Sequence, residues 1–130
     1  MTAGVTYTPI ATTTLAATTQ TITFSSISGS YTDLVLVIQS KVASGTLQMC
    51  SQVGNGSVDT GTNYSFTNMY GDGSSASSTR SSNNSAIYVD YGAYPATTIK
   101  TVDIIHFQNY SNTTTYKTTI ARANDTSTVN

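Results

Sequence analysis

The run LVLVI at residues 34–38 places five apolar side chains in succession. Because side chains alternate between the two faces of a strand, an extended segment here is apolar on both faces. A strand of this kind is typical of the middle of a fold, where other layers cover it on both sides. The run therefore predicts a central strand that the rest of the chain must cover.

Alternation of apolar and polar residues predicts further strands along the chain. In QTITFSS, Ile22 and Phe24 share one face, as in a half-buried strand. TLQMCSQV, SAIYVDY and TTYKTTIAR alternate in the same way, and in the last of these Tyr116 and Ile120 share a face. Gly, Asn and Ser are frequent between these stretches, which is typical of turns.

Two of the predicted strands have a clearly defined face. In TNYSFTNMY that face is aromatic and contains Tyr64, Phe66 and Tyr70. In TIKTVDIIHFQ one face contains both apolar and polar residues, namely Ile99, Thr101, Asp103, Ile105 and Phe107. About six or seven strands with no helical stretch predict an all-β protein, built as an antiparallel β-sandwich of jelly-roll type.

The length of 130 residues predicts one domain with one core. We expect residues 1–20 to form an extended N-terminal arm and a first strand, and residues 21–130 to form the β-sandwich domain. Charged residues make up only 8% of the chain, but nine Tyr, three Phe and a net charge of -1 are unlike the composition of disordered chains. The chain is therefore predicted to fold.

The few basic residues argue against a nucleic-acid partner, because a phosphate backbone requires clustered cations. The five basic residues are scattered: Lys41, Arg80, Lys100, Lys117 and Arg122. No run of about 18 apolar residues is present, and the first ten residues lack the basic start and apolar middle of a secretory signal. We therefore expect neither a membrane partner nor classical secretion.

The residues needed for catalysis are scarce. The chain has no Glu, one His and one Cys, and its six Asp occur singly, which removes most acid–base and nucleophile pairs. His106 is interpreted as a packing residue and Cys50 as a small strand residue rather than a reactive thiol. DGS at residues 72–74 lacks the ligand spacing of a calcium loop. We predict no catalytic residue, no cofactor, no metal and no enzymatic activity.

One candidate contact site is the segment GDGSSASSTRSSNN at residues 71–84, which contains no large apolar side chain. We interpret it as a loop that is mobile in the free protein and orders against a neighbouring subunit. An ordinary solvated connection is the alternative. The candidate subunit-contact residues in this loop are Gly71, Asp72, Gly73, Ser74, Ser75 and Arg80.

A second candidate site consists of three tyrosines around a turn, Tyr88, Tyr91 and Tyr94. Exposed tyrosine rings form both sugar-binding surfaces and protein interfaces, since they add contact area at low entropic cost. The alternative is that these rings fill the core, because the chain has no Trp and few Phe.

Three stretches carry a resemblance to a known group of proteins: YTPIATTTL, ITFSSISGSYTDLVLV and GTNYSFTNMYGDGSSASSTRSSN. They resemble small virion structural proteins of tailed bacteriophages, of the marine and cyanobacterial type, over about the first two thirds of the chain. The shared motifs are the GDGSSASS segment and a turn formed here by Phe24, Ile27, Tyr31, Asp33 and Leu34. These motifs imply a fold and a setting, and they contain no catalytic signature.

The resemblance implies a capsid decoration or cement protein that stabilises the phage head, located in the virion after assembly in the host cytoplasm. It implies a homo-oligomer, with a trimer favoured, and the major capsid protein as a partner. The alternative is a tail fibre-associated or receptor-binding module that contacts host glycans. A glycan-cleaving enzyme is disfavoured by the absence of Glu. Members of the group commonly continue past the segment that matches TIARAND, so we expect a shorter member or a chain that continues beyond residue 130.

Overall fold

The structure is a computed structural model that describes residues 7–45, 47–71, 73–91, 95 and 97–124. Within these ranges the chain is all-β and antiparallel, as predicted, and contains no helix that could cross a membrane. The strands are β1 (Leu34–Ser40), β2 (Cys50–Ser51), β3 (Gly54–Asn55), β4 (Ser57–Val58), β5 (Tyr64–Gly71), β6 (Ala76–Asn84), β7 (Ile87–Tyr88), β8 (Thr101–Gln108) and β9 (Thr118–Asn124).

The largest sheet has three strands in the order β1-β8-β9. Leu34 lies opposite Phe107 in the first pair of strands, and Val102 lies opposite Asn124 in the second. The alternation predicted for β8 is confirmed from residue 101 onward, because Thr101, Asp103, Ile105 and Phe107 are all buried. Ile99, which was predicted to share that face, precedes the strand and is 46% exposed.

The core lies against the inner face of this sheet. Its buried members are Val89, Ile105 and Phe107, of which Ile105 is completely buried. Partly buried apolar residues from several elements pack around them: Leu34, Leu36, Ile38, Met49, Val53, Ile87 and Ala121. The core therefore joins the three-stranded sheet to the segments that carry β2 and β7, which pair with each other.

A buried carboxylate fixes the position of β2 relative to β7. Asp90 is 2% exposed, and both of its oxygens accept the backbone N–H of Met49 at 2.8 Å. The N–H of Val89 donates to the carbonyl of Met49 at 3.1 Å. A charge-assisted hydrogen bond of this kind is stronger than a neutral one, so the segment after β7 holds the residue before β2 in place.

The prediction that residues 34–38 form a central strand is wrong for the described part of the chain. β1 is a strand, but it lies at the edge of its sheet, and β8 occupies the middle. The second apolar face is solvent-exposed, with Val35 at 36% and Val37 at 63% exposure. β1 has apolar residues on both faces, as predicted, but no described residues form a layer over its outer face.

The strand predicted at QTITFSS is also absent, because residues 7–33 form no strand. The segment that leads into β1 is instead held by the turn after β8. The N–H of Tyr110 donates to the carbonyl of Thr32 at 2.6 Å, and the N–H of Asn109 donates to Asp33 at 2.6 Å. Residues 7–20 are exposed, as an arm would be, and residues 1–6 lie outside the described ranges.

The hairpin formed by β5 and β6 confirms one prediction and corrects another. Tyr64, Phe66 and Tyr70 share the less exposed face of β5, as predicted. Residues 76–84, predicted to belong to a mobile loop, form strand β6 and pair with β5. The hydrogen bonds between strands involve backbone groups. A segment of small Ser and Thr residues can therefore form a strand when a neighbouring strand, here β5, pairs with it.

A β-bulge adjusts the hairpin near its open end. Tyr64 lies opposite Asn84, but Phe66 lies opposite Ser81. Between these pairs β5 has one residue and β6 has two, so β6 carries the extra residue. Asn83 has φ of 59° there, a left-handed conformation that Asn tolerates better than most residues. A bulge bends the strand that carries it, so β6 is expected to bend at this point.

The buried carboxyl of Asp103 should make the stability of the fold depend on pH. This residue is 1% exposed, and Oδ2 has no hydrogen-bond partner among the described residues. Burial raises the pKa of this carboxyl above its usual value. Between the unfolded and the folded pKa the folded state binds more protons, so stability falls as the pH rises through that window. Asp103→Asn should increase the free energy of unfolding at pH 7 by about 1–3 kcal/mol, and the gain should shrink toward pH 4.

Urea denaturation at several pH values measures this effect, and Asp59 provides a control of opposite sign. Hydrogen bonds from the Asn63 amide and the Gly61 N–H lower the pKa of Asp59. The stability that Asp59 contributes should therefore be lost as the pH falls through its folded pKa. A gain from Asp103→Asn that stays constant between pH 4 and pH 7 would contradict the assignment.

Candidate functional site

The predicted contact loop is divided between a turn and a strand. Gly71 ends β5, and Gly73 adopts a positive φ of 87° in the turn that follows. Ser74 and Ser75 lie in the same turn, where both make polar contacts. Arg80 lies in the middle of β6 and is exposed. Asp72 lies outside the described residues.

The outward face of the hairpin places Arg80 in a small exposed patch. Arg80 lies opposite Thr67, and Met69 lies opposite Ser78 on the same face. Met69 is 82% exposed, which is unusual for an apolar side chain with an inner face available nearby. Met and Arg are enriched in protein interfaces. We call Thr67, Met69, Ser78 and Arg80 the hairpin surface.

Two of the three predicted contact tyrosines pack against a ring of β5. The ring centroid of Phe66 lies 5.5 Å from that of Tyr88 and 5.2 Å from that of Tyr91. The two tyrosine rings lie 6.2 Å apart, with an angle of 81° between their planes. Such edge-to-face contacts stabilise aromatic clusters. Tyr94 lies outside the described residues.

This aromatic cluster of Phe66, Tyr88 and Tyr91 is half-buried. The side-chain amide of Asn68 joins the Tyr91 segment to the hairpin. Asn68, which interrupts the aromatic face of β5, donates a side-chain hydrogen bond to the carbonyl of Tyr91. Tyr88 meets both neighbouring rings edge-on, Tyr91 is tilted by 43° against Phe66, and the two tyrosine rings do not form a flat platform. Sugar binding by these residues stays a prediction.

The single Cys and the single His lie apart from these two sites. Cys50 is in β2, and burial, with the charge of Asp90 as a smaller cause, raises the pKa of its thiol. A raised pKa disfavours the reactive thiolate. His106 is half-buried and lies between Val35 and Ile120 across the three-stranded sheet. Among the described residues no three His, Cys, Asp or Glu lie together as metal ligands would.

One exposed apolar surface was not predicted from the sequence, the outer face of the three-stranded sheet. Val37 lies opposite Ile104, and Ile104 lies opposite Arg122 in β9. The exposed apolar side chains on this face come from all three strands. We call the apolar residues Val35, Val37, Val102, Ile104 and Ile120 the outer face. The apolar residues on both faces of the strand at residues 34–38 indicate this second face, but we expected another layer of the same chain to cover it.

A second exposed apolar surface lies in the N-terminal arm. Residues 7–23 are all exposed and contain no charged residue. The larger apolar side chains in this segment are 45–64% exposed: Tyr7, Ile10, Leu15 and Ile22. An exposed linker is usually polar or charged, so the composition of this segment favours contact with another surface.

The described residues expose more apolar side chains than they bury. Thirteen large hydrophobic side chains are exposed, whereas five hydrophobic residues are buried. Few of the described residues are buried. Exposed apolar patches are typical of surfaces that bind another molecule.

Comparisons with protein-family models, curated proteins and solved structures find no match to this chain.

The amide of Asn68 gives a testable account of the aromatic cluster. Asn68→Ala removes the donor to Tyr91 and should lower the free energy of unfolding by about 1–2 kcal/mol. The near-UV circular dichroism of the tyrosines should weaken as the rings lose their fixed positions. Thr67→Ala changes the neighbouring residue on the opposite face and should shift stability by less than about 0.5 kcal/mol. Equal effects of the two substitutions would show that Asn68 has no special role.

Proposed function

We propose that this chain is a non-enzymatic structural protein of a bacteriophage virion that decorates or cements the phage head. The observation that carries the proposal is the large, partly apolar exposed surface, which favours a subunit that functions only within an assembly. The resemblance of residues 7–15, 22–37 and 61–83 to phage virion proteins supplies the setting.

The architecture we propose is an antiparallel β-sandwich of jelly-roll type. The three-stranded sheet forms one layer, and the segments that carry β2, β5, β6 and β7 form the other. The core supports this arrangement, because Met49, Val53, Ile87 and Val89 from those segments pack against the sheet. Tyr64 also ties β5 to the β2–β3 segment, since its hydroxyl accepts the Val53 N–H at 3.2 Å.

The partners we propose are further copies of this chain, arranged as a trimer, and the major capsid protein. Low net charge suits contacts that depend on apolar area and hydrogen bonds rather than on ion pairs. The hairpin surface is the best candidate for contact with the capsid, because Met69 and Arg80 are exposed on a rigid pair of strands.

A receptor-binding module of the phage tail is the second candidate. The observation in its favour is that Tyr88 and Tyr91 lie together and are half-exposed. Their edge-on packing leaves less ring face for a sugar than a flat platform would. Specific binding to a glycan array that Tyr91→Ala abolishes without unfolding the protein would favour this second function.

The abundance of the chain in purified virions tests the proposed function. A decoration protein should be present in a copy number similar to that of the major capsid protein, as quantitative mass spectrometry can measure. A few copies per particle would favour the tail location. Absence of the chain from purified virions would reject both candidates.

Binding to particles tests the role of the hairpin surface. The double substitution Met69→Ser with Arg80→Ala should weaken binding to heads that lack the protein by at least about tenfold, if both residues are interface anchors. The melting temperature should stay nearly unchanged, because both side chains point outward. Lys41→Ala, which removes another exposed cation, is the control and should bind normally. Normal binding by the double variant would place the contact elsewhere.

A further inference from the structure

We propose that the arm, residues 7–23, of one copy of this chain binds the outer face of the three-stranded sheet of a second copy. The inference deepens the proposed oligomer by naming the two surfaces that join the copies. It can be tested on the purified protein alone, so its failure would leave membership of the virion undecided.

The arm has the composition of a segment that binds an apolar surface. It contains four larger apolar side chains, and all four are between 45% and 64% exposed. No charged residue occurs among residues 7–32, so the arm can be removed from water without desolvating an ion. Its Thr-rich sequence also suits an extended conformation.

The outer face is complementary to the arm in chemistry. Its apolar residues lie side by side across the strands, as Val37 does with Ile104. Ile120 is 51% exposed beside His106. Within β1, β8 and β9, Arg122 is the only Lys, Arg, Asp or Glu on this face, and Lys100, which precedes β8, donates to Gln39 at one end of it. An uncharged apolar arm therefore meets a mainly apolar surface that carries no carboxylate.

The dimensions also fit. An extended segment of 17 residues spans up to about 60 Å, whereas strands of seven or eight residues are about 25 Å long. The arm is long enough to leave its own subunit and cross the sheet of another.

A second copy fits this arrangement better than the same chain does. The arm and the outer face of one chain are exposed at the same time, so residues 7–23 do not cover the sheet of their own chain. Each copy would donate one arm and accept another. Such a head-to-tail exchange closes into a ring when the rotation between copies permits it, which is compatible with a trimer.

Disulfide trapping between two differently tagged single-cysteine proteins tests this inference. One protein carries Cys50→Ser with Leu15→Cys, and the other carries Cys50→Ser with Val37→Cys. After mild oxidation, a mixed disulfide between the two tags should form and appear on a non-reducing gel. The matched control pairs Val37→Cys with Met69→Cys, which is even more exposed but lies outside the arm, and should give at least about tenfold less mixed product if contact directs the reaction.

Light scattering on the full chain provides a second readout. Leu15→Asp places a charge in the apolar arm and should weaken self-association at least about tenfold, since burying an unpaired carboxylate is costly. Thr113→Asp adds the same charge at an exposed position outside both surfaces and should leave the oligomer intact. The inference is overturned if the full chain is monomeric at about 100 μM, well above the Kd of a stable oligomer. It is also overturned if the chain with Cys50→Ser, Leu15→Cys and Val37→Cys forms only an intrachain disulfide.

Discussion

The inner face of β8 is the surface on which the rest of the described fold depends. β1 and β9 each pair with β8 and do not pair with each other, so their positions are fixed through this one strand. Ile105 is completely buried, and Val89 reaches it from outside the sheet. The same face changes from apolar to polar along the strand and ends in Asp103 and Thr101. The strand at the centre of the sheet thus combines the tightest packing with a buried carboxyl group.

Strands were predictable from the sequence where the alternation of side chains defines one inward face. The pattern of β5 and β8 predicted which side chains face inward, and the structure confirms both faces, from residue 101 onward in β8. β6 gave no such signal, because its Ser and Thr residues pair through the backbone and only Ala76 is apolar. The stretch around Ile22 has a strand pattern but no partner within the described chain. Local alternation shows that a segment can be a strand, but it does not show which strand will pair with it.

The candidate contact residues were predictable only in part for the same reason. Arg80 was correctly singled out as one of the few charges, but it lies on a paired strand rather than in a loop. Tyr88 and Tyr91 were chosen for their aromatic rings, and the position of Phe66 against both of them could not be inferred from the sequence. The outer face required knowledge of the strand order, since Val37 and Ile104 are neighbours only because β1 pairs with β8.

The pairing of β1 with β8 also has a consequence for how the chain folds during synthesis. Ser40 and Thr101 are 61 residues apart in the sequence and are joined by a hydrogen bond of 3.3 Å. At about 5–20 residues per second, a ribosome takes several seconds to make β8 after β1 has been completed. The hairpin of β5 and β6 pairs residues much closer in the sequence, and such local contacts form faster. Among the described strands, β1 therefore remains unpaired for the longest time during synthesis. During that interval its apolar run is the segment most exposed to misassociation or to capture by a chaperone.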